Sequence, residues 1–147
     1  MEKLSTSTTD ILESLLVANH RLTRITAQRT GSSVSSAVWS SLAILASEGP
    51  HRIGDLARAA RVSQPGMTKL LQGLVEDEWV YRIADTEDSR AWLIAIAPRG
   101  TQALIQWRRT LADAMSPIFA ELPAEDWAVL DRAAGILSSR VAAVAAA

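Results

Sequence analysis

Apolar positions recur every three or four residues along most of the chain, a helical pattern, and change to short continuous runs only between residues 79 and 96. The stretch 53–99 organises the rest. Ile53, Leu56, Ala57 and Ala60 form one helical stripe, and Met67, Leu70, Leu71 and Leu74 form a second. Arg61, Val62 and Ser63 leave room for a turn and little more, so two short helices cross at a steep angle. Ala57 is small where such helices touch, and Val62 is placed to plug the angle. Ser63 is an N-cap type, and Pro65 falls in the first turn, where its missing N–H costs nothing. Residues 79–83 and 91–96 are aromatic and β-branched, with the polar, turn-rich segment 84–90 between them, which predicts a hairpin with a longer loop. A helix-turn-helix followed at once by a hairpin is a winged helix. The predicted fold is therefore mainly α with a small β-hairpin wing, a winged helix-turn-helix flanked by N- and C-terminal dimerisation helices.

The flanks read as helices too. A first helix starts near Asp10, an N-cap type with Glu13 three residues on, and carries Ile11, Leu12, Leu15, Leu16, Leu22 and Ile25 on one face. Thr30-Gly31-Ser32-Ser33 breaks it. The next helix spans about 34–48 with Val38, Trp39, Leu42 and Leu45 inward, and Gly49-Pro50 stops it. His51 and Arg52 are candidates for a short strand beside the wing. After Gly100, Leu104, Trp107, Leu111, Met115 and Ile118 mark a long helix that Pro117 must kink or end. Pro123 is expected in the first turn of a last helix, where Trp127, Leu130, Ala134, Leu137, Val141 and Val144 make a narrow seam. Such a seam packs within one subunit or across a dimer axis. The dimer is preferred, because terminal helices of a small domain have few other partners.

Composition narrows the function. A chain of 147 residues with 48% hydrophobic content suits one compact domain, 1–147. No apolar run approaches membrane-spanning length, and residues 1–10 are polar with no signal-peptide core. Cysteine is absent, which excludes disulfides and thiol chemistry, and the expected location is cytoplasmic. No phosphate loop, metal-spaced cluster or nucleophile paired with a base is present, so no enzyme, cofactor or metal site is expected. The two histidines lie far apart in sequence, and the acidic pairs near the second helix's end and in the wing read as solvated charge.

The second helix of the pair has a face with no use in a core: Gln64, Pro65, Thr68, Lys69 and Gln72. Amides and hydroxyls can bond base edges, and a lysine can meet a phosphate or a guanine. Gly66 is expected to permit close backbone approach. Taken alone this is a solvated helix face; the hairpin that follows favours DNA. Arg90 at the wing tip suits a minor groove, with Asp88 to orient it by a charge-assisted hydrogen bond. Ser63 and Arg58 are candidates for phosphates. A formal net charge of −1 argues against a sequence-blind basic binder. A local patch of Arg58, Arg61, Lys69, Arg82 and Arg90 remains, offset by Glu76, Asp77, Glu78, Asp85, Glu87 and Asp88. A two-fold dimer would present two such helices to successive major grooves about 34 Å apart, so the expected target is an inverted repeat in double-stranded DNA.

Val80-Tyr81-Arg82, Asp88-Ser89-Arg90 and Ile96-Ala97-Pro98-Arg99-Gly100 together resemble the wing signature of the MarR family of bacterial transcription regulators. There an Asp-x-Arg pair marks the wing and a Leu-Thr-x-x-Gly stretch opens the next helix. Ala97 stands where Thr is usual, and Arg61 where Gly is common, which implies mild left-handed strain at Arg61. The resemblance covers nearly the whole chain. It implies a winged part at 34–100 and dimerisation helices at 8–30 and 101–147. It also implies a homodimeric repressor on a palindromic operator, released by a small aromatic or phenolic effector bound between the dimer helices and the winged part. His20, Arg24, Trp39 and Trp107 are candidate lining residues. Each has a plainer reading: a Trp at helical spacing is usually core, and a lone His on a first helix is usually a surface residue. The rival function is a winged-helix dimer that binds protein rather than DNA.

Overall fold

A computed structural model describes residues 6–147. The first half of the polar 1–10 segment thus lies outside the described residues. The elements are α1 (Thr8–Thr30), α2 (Ser36–Glu48), β1 (His51–Arg52), α3 (Ile53–Ala60), α4 (Gln64–Glu76), β2 (Val80–Ala84), β3 (Trp92–Ile96), α5 (Pro98–Met115), a 3-10 turn (Ser116–Phe119) and α6 (Ala124–Ala145). The three strands form an antiparallel sheet in the order β1-β3-β2. The fold is mainly helical with a small β wing, as the sequence pattern predicts.

The core gathers under the sheet. Leu42 and Leu45 of α2, Leu56 and Ala57 of α3, Met67, Leu71 and Leu74 of α4, Val80, Ile94 and Leu104 of α5 form one buried cluster. Both predicted stripes therefore face inward. The crossing of α3 and α4 is tight because Ala57 offers only a methyl group and Val62 donates its amide to the Ala57 carbonyl at 2.9 Å. Arg61 takes the left-handed conformation, φ 58 and ψ 42, at the end of α3. The expected strain is thus in place.

Some element ends differ from the pattern. Ser7, not Asp10, caps α1: its hydroxyl accepts from the Asp10 amide at 3.1 Å, and the Asp10 carboxylate accepts from the Ser7 amide at 3.0 Å. Asp10 is the reciprocal partner in a capping box, at the third helical position rather than at the cap. Pro123 is the residue before α6, not in its first turn. Pro117 acts as expected: α5 ends at Met115 and tightens into a 3-10 turn. Ala97 precedes α5 without a side-chain cap, and its amide donates instead to the Trp79 carbonyl at 2.9 Å.

The outer helices are a different case. α1 buries only Thr26, and Leu12 and Leu16 are 58% and 71% exposed. α6 buries none of its residues, leaving Trp127, Leu130, Leu137, Val141 and Val144 exposed. Among the described residues no helix is long and apolar enough to cross a membrane.

Candidate nucleic-acid interface

The outward side of α4 is built from its first residue. Ser63 is extended, and its hydroxyl accepts from the Gly66 amide at 3.1 Å while its carbonyl accepts from Met67 at 2.8 Å. One free donor at the helix start is thereby met, and the first intrahelical bond is closed. Pro65 sits inside the first turn. With Met67, Leu71 and Leu74 buried on one side, helical geometry leaves Gln64, Pro65, Thr68, Lys69 and Gln72 on the other, and all five are exposed. The Thr68 hydroxyl donates to the Gln64 carbonyl at 3.0 Å, so it faces outward as an acceptor. Gly66 has a structural task that the sequence pattern did not name. A Cβ there would come within 2.9 Å of the Ser63 hydroxyl and 3.2 Å of Val62, so the glycine makes room for the cap and the turn.

The wing extends from the β2–β3 ladder, in which Val80 pairs with Ile96, Arg82 with Ile94 and Ala84 with Trp92. Its base is locked. Asp85 is buried, and one carboxylate oxygen accepts from both Nε and Nη2 of Arg52, at 2.8 and 2.6 Å. The other oxygen accepts from the Glu87 amide at 3.0 Å. The Glu87 amide bond and then the Arg52 bond hold the Asp85 carboxyl below its ordinary pKa, and Asp85 raises that of Arg52. Asp88 accepts the main-chain amide of Arg90 at 3.0 Å, not its guanidinium as expected from sequence. It shapes the loop that carries Arg90, and the Arg90 side chain is exposed with no carboxylate partner among the described residues.

The acids that oppose this face are partly neutralised. Asp85 is paired with Arg52, and Glu78 with Arg99 at 3.0 Å. Glu76 and Asp77 lie at the far end of α4, roughly 10 Å along the axis from Lys69. Arg58 is exposed and touches Asp55 at 3.2 Å, a surface pair of little strength.

The effector candidates divide. Trp39 and Trp107 stack with ring centroids 4.9 Å apart and planes 8° from parallel, and Trp79 closes on Trp39 at 5.6 Å. They join α2, α5 and the start of the sheet, the packing role that helical spacing favours for a Trp. Even so, the buried Trp39 indole N–H has no hydrogen-bond partner among the described residues. His20 and Arg24 are exposed on α1. The sequence pattern did not point to Arg52 as the wing's anchor, nor to the exposed Trp92. Alternation back from Ile94 would have put Trp92 on the core side of β3.

The model of the MarR family matches residues 34–92. Over 128 residues the chain is 30% identical to the HTH-type transcriptional regulator Mb0904 of Mycobacterium bovis, covering 86% of this chain and 90% of that one. The chain belongs to the MarR family. A 63-residue match at 36% identity to the HTH-type regulator YpoP of Bacillus subtilis spans 43% of this chain and 45% of that protein. Among solved MarR structures, a mutant MarR from E. coli superposes with a TM-score of 0.67 at 18% identity, over 85% of this chain and 93% of that one. BpsR of Bordetella bronchiseptica, whose DNA binding is regulated by 6-hydroxynicotinic acid, superposes with a TM-score of 0.56 at 18% identity, over 94% and 97%. MarR-family proteins are transcriptional regulators and not enzymes; they bind DNA, act as dimers, and some respond to small molecules. This chain is a MarR-family transcriptional regulator with a winged helix-turn-helix fold.

Proposed function

We propose that this MarR-family protein is a homodimeric repressor of an inverted-repeat operator in double-stranded DNA. Residues 34–100 form the DNA-binding part, and 8–30 with 101–147 form the dimerisation helices. Gln64, Pro65, Thr68, Lys69 and Gln72 enter the major groove, Arg90 reaches the adjacent minor groove, and Asp88 holds the loop that presents it. Ser63 and Arg58 meet phosphates. The observation that carries this reading is the polar face of α4, exposed while the opposite face is core, together with an exposed Arg90 that has no carboxylate partner among the described residues.

The uncovered apolar faces of α1 and α6 support the dimer. These side chains are already partly covered, so each adds only part of the about 1.5–3 kcal/mol of a full burial, and many must be covered together to offset the cost of association. A two-fold axis there sets two α4 helices at a fixed distance, and the operator's symmetry mirrors it. The effector is a small aromatic or phenolic compound that changes this distance and releases the DNA. The likeness in fold to BpsR, which a hydroxylated aromatic acid regulates, supports that class, as does the unpaired Trp39 N–H beside Trp107.

Selection of bound duplexes from a random DNA pool tests the central claim. Recovery of an inverted repeat is expected; a pool that never enriches would overturn it. Titrating salicylate-like compounds while following Trp fluorescence tests the effector separately, and a flat response counts against the ligand class only.

A further inference from the structure

Trp92 stands apart from the other tryptophans. Trp79 and Trp107 each pack on Trp39, and Trp127 meets Phe119 at 6.0 Å. Trp92 is 56% exposed. It shares a sheet face with Ile94, which is fully buried over the core, but lies two residues further out, toward the wing. An isolated exposed aromatic needs no explanation by itself. This one borders an open cleft of about 430 Å³ whose other walls include Arg52, Gly54, Gln64 and Arg90, with one carboxylate, Asp55, which is paired with Arg58 at 3.2 Å.

That position has a geometric meaning. With α4 in a major groove and the wing in the next minor groove, the sugar–phosphate strand dividing the grooves must run between Gln64 and Arg90. We propose that the cleft seats one sugar–phosphate unit of that strand, with the Trp92 indole packed flat against the deoxyribose and its N–H donating to a phosphate oxygen. This rests on the DNA-binding reading above and adds a contact to it. The indole is uncharged, so its contribution is independent of counterion release, unlike that of Lys69 or Arg90.

The test uses the full chain and a duplex selected by the parent protein. Trp92→Ala is expected to weaken binding by about tenfold, in line with aromatic contacts to nucleic acid. The slope of log affinity against log salt should stay that of the parent, because no cation is removed. Duplex should quench the parent's Trp emission, and Trp92→Phe, which keeps the ring but loses the N–H, should bind between the parent and Trp92→Ala with that quenching gone. Unchanged melting of Trp92→Ala separates a weakened grip on DNA from a damaged fold. Parent-like affinity of Trp92→Ala overturns this inference and leaves DNA binding standing. Loss of dimer in Trp92→Ala, seen by sedimentation, places the indole between copies and also overturns it. Failure of the parent to select any duplex overturns both readings.

Discussion

Arg52 and Asp85, 33 residues apart, meet with two guanidinium N–H groups on one carboxylate oxygen, at 2.8 and 2.6 Å. The pair ties β1 to the first residue after β2, so the wing's base cannot swing away from the sheet. Asp85's folded pKa lies below its unfolded value of about 3.9, held down first by the Glu87 amide and then by Arg52. A depressed carboxyl stabilises the folded state above the unfolded pKa, and that stabilisation disappears as pH falls through the folded one. Melting temperature at neutral pH should therefore fall in Asp85→Asn, and the acid-induced loss of stability below about pH 4 should be shallower than in the parent. Parallel melting curves for the two proteins across that window would remove the pair from any account of wing stability.

Lys69 and Arg90 are expected to act on DNA through charge, at opposite ends of the interface. Arg90→Ala should weaken operator binding in a gel-shift titration by about tenfold, and Lys69→Ala by a similar factor. Each should lower the salt slope by about 0.9 for every phosphate left without its cation. Unchanged affinity of Arg90→Ala takes the wing tip out of the interface. A weaker complex with an unchanged slope would mean that the arginine does not meet phosphate.

Arg61 holds a left-handed backbone, φ 58, at a position where MarR sequences commonly carry glycine. A side chain there costs about 1–2 kcal/mol, while glycine adds unfolded-state freedom worth about 0.5–1 kcal/mol. Arg61→Gly should raise stability by about 0.5 kcal/mol in urea unfolding. A decrease would show that the Arg61 side chain offsets its strain through contacts of its own.

Local signals explain which parts of the fold are legible in the sequence. Gly31, Gly49-Pro50 and Pro117 end helices because each acts on its own backbone, and the stripes of α3 and α4 report one buried side apiece. The polar face of α4 follows from the same periodicity. Ser7 and Asp10 are both capping types three residues apart, so the sequence does not say which begins the helix and which reciprocates. Arg52–Asp85 depends on strand register, and the cleft beside Trp92 on how the wing lies over α3, and neither is encoded at short range. The packing task of Gly66 is equally hidden, because nothing in the sequence shows that Ser63 and Val62 fold back against it.

Gly100 explains the glycine of the family's Leu-Thr-x-x-Gly stretch. The Trp79 carbonyl accepts from the Ala97 amide at 2.9 Å, closing the end of the sheet, and the first turn of α5 presses Gly100 onto that same carbonyl. A Cβ at Gly100 would overlap the Trp79 oxygen, and backbone cannot turn aside as a side chain can. Gly100→Ala should cost about 1–3 kcal/mol or more in urea unfolding, through displacement of α5 from the sheet. Stability equal to the parent's would mean that α5 slides without penalty.

Leu137 lies 46% exposed on α6, a helix that buries none of its own residues. Together with Leu130 and Val141 it forms an exposed apolar row that the proposed dimer would cover with the partner chain. A carboxylate placed in that row would have to be desolvated without a counter-charge, and that penalty falls on the dimer rather than on the monomer's core. Leu137→Glu should therefore keep the parent's helical content while sedimenting as a monomer at micromolar concentration. Operator affinity should fall far more than for any single DNA-facing residue, because one half-site would then be held without the other. Half-site binding should survive, since α4 and the wing are built within one chain. A Leu137→Glu protein that remains dimeric with parent-like operator affinity would move the two-fold axis away from α6.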